Sequence, residues 1–248
     1  MLATTLPSLP QTRAVAGRAL RQLRHDRRFL ALTLVVPLVL MALLWIFFDA
    51  VDNPFFDVAQ FIPPVGGFLV HFLTYVLSAV VLVRERTAGT LERVFVSGFR
   101  RASVIGGYLL AYTVLATVQA FIVLGEMALL FELDYSAGTW AGLYPVFWLL
   151  ALTSIALGIF ISNFAENEGQ VLPFIPLVLM ISVYFSGMIV AVERLPEWVN
   201  WLRWFTPMYY ATEAIAAITA RDPAGVWLLA LAAYAVAVIG LAVVTLRE

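Results

Sequence analysis

Two glutamates and a glycine lie close together in the most highly charged internal stretch of the sequence, VRERTAGTLERVFVSGFRR. On a helix, Glu85, Gly89 and Glu92 would share one stripe, because they are spaced at i, i+4 and i+7. A glycine inside a helix costs about 1 kcal/mol relative to alanine, so its place between two acids suggests that something approaches the backbone there. The two carboxylates could then accept hydrogen bonds from another protein, which is docking chemistry. The alternative is a solvated, charged loop.

Catalytic patterns are missing from the sequence. It contains two histidines, no cysteine and no lysine, and neither G-x-S-x-G nor H-E-x-x-H occurs. A nucleotide-binding P-loop of the GxxxxGK[ST] kind needs its lysine on the phosphates, so this chain is not an ATPase of that type. We therefore predict no catalytic residue and no metal site, and an intramembrane hydrolase is disfavoured.

The composition is that of an all-α integral membrane protein. Hydrophobic residues make up 62% of the chain and charged residues only 12%, with a mean hydropathy of +0.93. Six runs lack any charged residue, and each is long enough to cross about 30 Å of hydrocarbon as a helix. The six runs are 29–48, 58–83, 102–125, 135–165, 169–192 and 223–246. They are apolar on every face, which favours helices over the alternating strands of a barrel.

The distribution of arginine predicts the orientation of these six spans. Twelve of the fifteen arginines, Arg28 and Arg247 among them, fall on one side when both termini are cytoplasmic. The loop between the first two spans would be external and carries aspartates, including Asp52. Residues 12–28 predict an amphipathic helix lying along the inner membrane surface, with its arginines toward lipid phosphates.

A second non-spanning segment, 193–222, is predicted to be extracellular. Trp198 and Trp201 recur at helical spacing, and Thr206-Pro207 then separates two helical pieces that are too short to cross the bilayer. We expect interfacial or re-entrant helices here, before the last span.

The stretch RERTAGTLERVFVSGFRRASVIGGYLL resembles the signature of the membrane subunits of ATP-binding-cassette exporters of the type-2 permease family. Their first cytoplasmic loop typically reads E-x-x-x-G-T-L-E. A second match, FSGMIVAVERLPEWVNWLRWFTPMYYATEAI, carries the S-G, L-P-x-W and P-x-x-Y positions of such permeases. Departures are Gly98 and Gly106-Gly107, where relatives commonly have proline and Gly-Lys.

The resemblance implies one transmembrane domain over residues 1–248, with a cytoplasmic coupling loop at 84–101 whose coupling helix rests on a separate ATPase subunit. The docking residues would be Arg84, Glu85, Arg86, Gly89, Thr90, Leu91, Glu92 and Arg93. ATP and Mg²⁺ would be bound by that ATPase, and this chain would hold no cofactor. A second copy of the permease, or a paralogue, would complete the pathway, with a homodimer favoured. No nucleic-acid partner is expected.

Permeases that this sequence resembles line their cavity with the second and fifth spans. The corresponding positions here are Phe68, His71, Phe72, Tyr75, Phe174, Met180, Tyr184 and Phe185. Aromatic residues and methionine suit a large apolar or amphipathic passenger, although the same residues could simply pack between helices. His71, near the middle of its span, faces either a cavity or an interhelical hydrogen bond.

The sequence thus predicts a multi-pass permease of the plasma membrane that exports hydrophobic or amphipathic, drug-like or antibiotic-like compounds. Export of lipid or lipid-linked polysaccharide is the alternative within the same class. A proton-coupled secondary carrier is the alternative of a different class, but it would ordinarily place several acids or histidines within its spans.

Overall fold

The structure is a computed structural model that describes residues 7–50 and 57–246, with Arg28 and Phe29 described in backbone only. The predictions that rest on Asp52, Arg247 and the side chain of Arg28 lie outside the described residues. The helices are α1 Leu9–His25, α2 Arg27–Ala50, α3 Val58–Thr87, α4 Thr90–Val96, α5 Arg101–Leu130, α6 Ala137–Ser162, α7 Glu168–Val171, α8 Phe174–Tyr184, α9 Glu197–Asn200, α10 Pro207–Thr219 and α11 Gly225–Thr245. Two 3₁₀ turns lie at Val192–Arg194 and Trp201–Phe205.

Five of these helices are long and apolar enough to cross a membrane, and the described residues form no strand. They are the described part of α2 from Leu30, together with α3, α5, α6 and α11. The prediction of an all-α, multi-pass membrane protein is confirmed. We call the end of the bundle where α3 meets α4 the turn end, and the opposite end, where α3 begins at Val58, the far end.

The fifth predicted span is built differently from the others. Within 169–192 the chain forms α7, breaks at Leu172 and Pro173, forms α8, and turns at Gly187 with φ +83°. Pro173 and Pro176 supply no backbone N–H groups, which favours a break before α8. With eleven residues, α8 is about 16 Å long, roughly half of a membrane span.

The N-terminal helix α1 is amphipathic, as predicted, but its apolar side packs on protein. Val15 and Ala19 are buried, whereas Arg13, Arg21 and Arg24 are exposed. Gly107 of α5 permits the contact, because a Cβ there would lie 2.5 Å from Cβ of Val15. The helix spans Leu9–His25 rather than the predicted 12–28, because α2 already begins at Arg27.

The core of the bundle is the contact between α3 and α6. Gly158 of α6 lies against the backbone of α3, and a Cβ there would lie 2.6 Å from the carbonyl oxygen of Tyr75. Tyr75, Phe147 and Leu150 are completely buried around this contact. The two helices approach closely along their contact, and α5, α10 and α11 pack against this pair.

The predicted break at Thr206-Pro207 is present and lies inside the bundle. The Thr206 hydroxyl caps α10 by accepting a hydrogen bond from the Met208 N–H, and it also donates to Ser182 Oγ at 3.3 Å. Ser182 in turn contacts His71, which lies about 20 Å along α3 from its start at Val58. The segment between α8 and α10 therefore runs from the far end into the bundle, and α10 leads back to the far end.

Candidate functional site

The charged stretch forms a turn between two helices rather than one continuous helix. α3 ends at Thr87, Gly89 adopts φ +66°, and α4 begins at Thr90. The predicted stripe of Glu85, Gly89 and Glu92 on one helix face is therefore wrong, because its i, i+4, i+7 spacing requires an unbroken helix. Gly89 is explained by its left-handed backbone, since nothing lies within 4 Å of where its Cβ would be.

Glu85 points into the protein. It is 4% exposed, and its carboxylate forms an ion pair with Arg18 of α1 at 3.1 Å. The Thr90 hydroxyl donates to the same carboxylate at 2.5 Å and to the Glu85 carbonyl at 2.8 Å. Arg18 also donates to the hydroxyl of Tyr108 at 2.6 Å. These contacts join α1, α3, α4 and α5 at the turn end.

Arg86 connects the turn to the end of α6. Its guanidinium donates to the carbonyl oxygens of Ser162 and Ala165, at 2.8 and 2.7 Å, just where α6 ends. A cation is favourable at this end of a helix, where the last carbonyl groups have no partner within the helix. Asn163 then donates to the Ala242 carbonyl oxygen and to Thr245 Oγ1 in α11. The neighbouring Arg84 is exposed and forms an ion pair with Glu168 of α7 at 3.0 Å.

The outer side of α4 is exposed. Leu91 is 2% exposed and anchors the helix in the core, whereas Glu92 and Arg93 face solvent. Val96, at the end of α4, is 89% exposed, although it is a large apolar residue. Together, Glu92, Arg93 and Val96 form a small mixed surface, which we call the α4 surface.

The predicted docking set is thus divided by the structure. Glu85, Arg86 and Leu91 hold the segment from inside, Arg84 pairs with α7, Gly89 and Thr90 are half-exposed at the turn, and Glu92 and Arg93 lie on the outside. Sequence reasoning missed Arg18, Tyr108 and Gln11. Gln11 donates to the Gly98 carbonyl oxygen and accepts from the Arg100 N–H, both at 3.1 Å. No local signal reveals these partners, because they come from distant parts of the chain.

His71 forms an interhelical hydrogen-bond junction, one of its two predicted settings. It is completely buried, with Nδ1 2.7 Å from Ser154 Oγ and Nε2 2.9 Å from Ser182 Oγ. Ser154 donates its own proton to the Leu150 carbonyl oxygen at 2.6 Å, so its oxygen is available to accept from His71 Nδ1–H. Nε2 then accepts from Ser182. This arrangement ties α3, α6 and α8 together.

The remaining residues of the predicted path face in different directions. Phe68 and Phe72 are half-buried and stack with centroids 6.3 Å apart, and Tyr75 is buried with its hydroxyl donating to the Phe174 carbonyl oxygen at 3.3 Å. On α8, Met180 and Tyr184 are 50% and 57% exposed, while Phe174 and Phe185 are half-buried. With Leu177, Met180 and Tyr184 form an exposed apolar face of α8.

Comparison with known proteins gives a family for this architecture. The family model described as ABC-2 type transporter matches residues 10–219. The chain is 25% identical over 171 residues to "Probable multidrug ABC transporter permease YbhR" of Escherichia coli strain K12, covering 68% of this chain and 46% of the relative. It is 27% identical over 158 residues to "Linearmycin resistance permease protein LnrN" of Bacillus subtilis strain 168, covering 63% of this chain and 40% of the relative.

A third relative is "ABC transporter G family member 20" of Dictyostelium discoideum, 27% identical over 180 residues, or 65% of this chain and 22% of the relative. The matches span less than half the length of these curated relatives. The family match, in contrast, extends from α1 through the turn at Gly89 to the end of α10. The chain therefore belongs to the ABC-2 type transporter family.

Proposed function

We propose that this chain is the permease subunit of an ATP-driven exporter of hydrophobic or amphipathic compounds, with ATP and Mg²⁺ bound by a separate ATPase chain. Family membership supports the class. The names of two relatives support the cargo, since one is called a multidrug permease and the other a linearmycin resistance permease.

The observation that carries the proposal is the α4 surface. Val96, a large apolar residue, is 89% exposed beside the charges of Glu92 and Arg93, on the helix that begins within the E-x-x-x-G-T-L-E match. An apolar contact flanked by one acid and one base suits a small protein–protein contact with a polar rim. We assign this surface to the ATPase.

Movement of the ATPase could be transmitted because the inner side of α4 is firmly held. Leu91 is in the core, and Glu85 ties the turn to α1 through Arg18. Arg86 extends the connection to the ends of α6 and α11. Displacement of α4 would therefore shift several helices together, which is what switching between inward-facing and outward-facing states requires.

A second copy of the chain would complete the pathway in this proposal. The exposed face of α8, formed by Leu177, Met180 and Tyr184, has no described partner helix over it. We assign it to the path between two copies, in the plasma membrane, with both termini and the turn end in the cytoplasm. The short α8 would then border a cavity rather than lipid alone.

Substitutions on the α4 surface test the proposal. Glu92→Arg and Val96→Asp should abolish ATP-dependent uptake of a hydrophobic fluorescent dye into inside-out vesicles that also contain the ATPase, and both should prevent its co-purification. Asp134→Arg is the matched control, because Asp134 is also exposed but lies at the far end. Dye transport that needs no ATP and is indifferent to Glu92→Arg would instead indicate a secondary carrier.

A further inference from the structure

A large cavity lies at the far end of the bundle, away from the α4 surface. Its volume is about 1010 Å³, at the upper limit of sites for drug-sized ligands. Its walls are the start of α3, Tyr135, residues 187–194 and the second half of α10. None of the residues predicted for the substrate path lines it.

Acidic side chains dominate the charge of this cavity. Asp57, Glu193 and Glu213 line it, together with the single base Arg194. Among the described residues, no arginine nitrogen comes within 4 Å of these three carboxylates. Asp57 accepts hydrogen bonds from the first N–H groups of α3, whereas neither glutamate carboxylate accepts one from a described part of the chain.

Glu213 is partly buried in the cavity wall. Burial, with a smaller contribution from nearby Glu193, raises the pKa of Glu213 above its ordinary value, while Arg203 opposes the shift. Arg203 itself is held over the rings of Trp204 and Tyr209, at 4.7 and 5.3 Å. A cation placed between the two glutamates would supply the compensation that the protein lacks.

The other walls mix apolar and polar side chains, and one of the polar groups is unsatisfied among the described residues. Phe61, Met188 and Ile215 contribute apolar surface. Thr212 lines the cavity and is nine-tenths buried, yet its hydroxyl has no hydrogen-bond partner among the described residues. A buried hydroxyl without a partner is costly, so a donor or acceptor on a bound molecule would stabilise the site.

Within residues 7–50 and 57–246, no group of three His, Asp or Glu side chains is arranged to hold a metal ion. We propose that the far-end cavity binds a hydrophobic organic cation, whose charge lies between Glu193 and Glu213 and whose apolar body contacts the remaining walls. Binding of the cation does not depend on the proposed function. The further statement that the bound cation is a compound being exported rests on the proposed function.

Two ions of nearly equal size and opposite charge test the inference. Binding of radiolabelled tetraphenylphosphonium and tetraphenylborate is measured on the full chain in nanodiscs, without ATP or ATPase, with empty nanodiscs subtracted. The cation should bind saturably and at least about tenfold more tightly than the anion, because three carboxylates and one arginine line the cavity. Equal binding of the two ions, or no saturable binding of the cation, would overturn the inference.

Neutral variants locate the bound cation. Glu193→Gln combined with Glu213→Gln should weaken cation binding about tenfold or more, and Arg194→Gln should strengthen it several-fold. Asp134→Asn, at the same end but not in the cavity wall, should leave it unchanged. If the double variant folds and retains full affinity, the site is wrong. Glu193→Gln alone, at an exposed position, provides the same test without risk to folding.

The outcomes also separate this inference from the proposed function. Glu92→Arg should bind the cation normally, because the α4 surface lies at the opposite end. Normal cation binding with no ATP-dependent transport would leave the cavity assignment intact and contradict only the exporter. The cavity variants could instead bind and transport the cation with the same affinity and rate as the unmodified chain. That result would contradict only the cavity assignment.

Discussion

The ion pair between Arg18 and Glu85 gives the sharpest test of how the turn end is held. Arg18→Met would leave the carboxylate of Glu85, at 4% exposure, without an opposite charge and with the hydroxyls of Thr90 and Tyr108 as its side-chain partners. Leaving a buried charge unpaired costs about 3–5 kcal/mol. Glu85→Met should cost less, about 1–2 kcal/mol, because the Arg18 side chain is 33% exposed and retains Tyr108.

The double variant should be less damaged than the sum of the two single variants. With methionine at both positions no charge is buried, and the Thr90 hydroxyl still donates to the carbonyl oxygen of residue 85. We expect a total cost of about 1–2 kcal/mol, and therefore a coupling of at least about 2 kcal/mol. Arg21→Met, an exposed arginine on the same helix, should cost close to nothing.

Denaturation in detergent micelles, followed by tryptophan fluorescence, measures these free energies of unfolding. The decisive comparison is the double-mutant cycle at Arg18 and Glu85. Costs that simply add would refute the reasoning, since they would mean that the two side chains do not interact. An Arg18→Met variant no less stable than Arg21→Met would refute it as well.

Three further predictions concern other parts of the bundle. Gly158→Ala should lower the free energy of unfolding by about 2–3 kcal/mol, because its Cβ would lie 2.6 Å from backbone of α3, whereas Gly125→Ala, with nothing within 4 Å, should raise it by about 0.5–1 kcal/mol; equal effects would contradict the close α3–α6 contact. His71→Phe should lower the free energy of unfolding by about 1–2 kcal/mol through loss of two hydrogen bonds, and it should leave cation binding at the far-end cavity unchanged. Weakened cation binding would instead show that His71 acts in that cavity. Because the chain has no cysteine, Glu92→Cys should react with a membrane-impermeant maleimide only from the cytoplasmic side, and Asp134→Cys only from outside; the reverse pattern would invert the proposed orientation.

The helical class and most of the spans follow directly from the sequence. Uninterrupted apolar runs correctly predicted α2, α3, α5, α6 and α11. Backbone N–H and C=O groups in hydrocarbon must form their hydrogen bonds within the protein, and a helix does this within one segment. The fifth run was equally apolar, but Pro173, Pro176 and Gly187 shorten its helix. Apolar content indicates that a segment lies in the membrane, and the breakers determine how far it continues as a helix.

The docking stretch shows what residue spacing could not supply. Its charged residues and glycine were identified correctly as unusual, yet helical spacing placed Glu85 and Glu92 on one face. Because the chain turns at the left-handed Gly89, Glu85 points into the protein and Glu92 points into solvent. Tertiary partners decided the rest, because the burial of Glu85 depends on Arg18, which no local pattern connects to it. Whether the α4 surface docks an ATPase stays a prediction.

Cross-linking from the α4 surface tests the central claim most directly. Because Val96 is exposed and the chain contains no cysteine, Val96→Cys can carry a thiol-linked photoactivatable group at one defined position. Irradiation of membranes from the native host should yield one main adduct, identified by mass spectrometry as a P-loop ATPase, that is absent when the probe is carried by Asp134→Cys. No ATPase adduct from Val96→Cys, or the same adduct from both positions, would contradict the account.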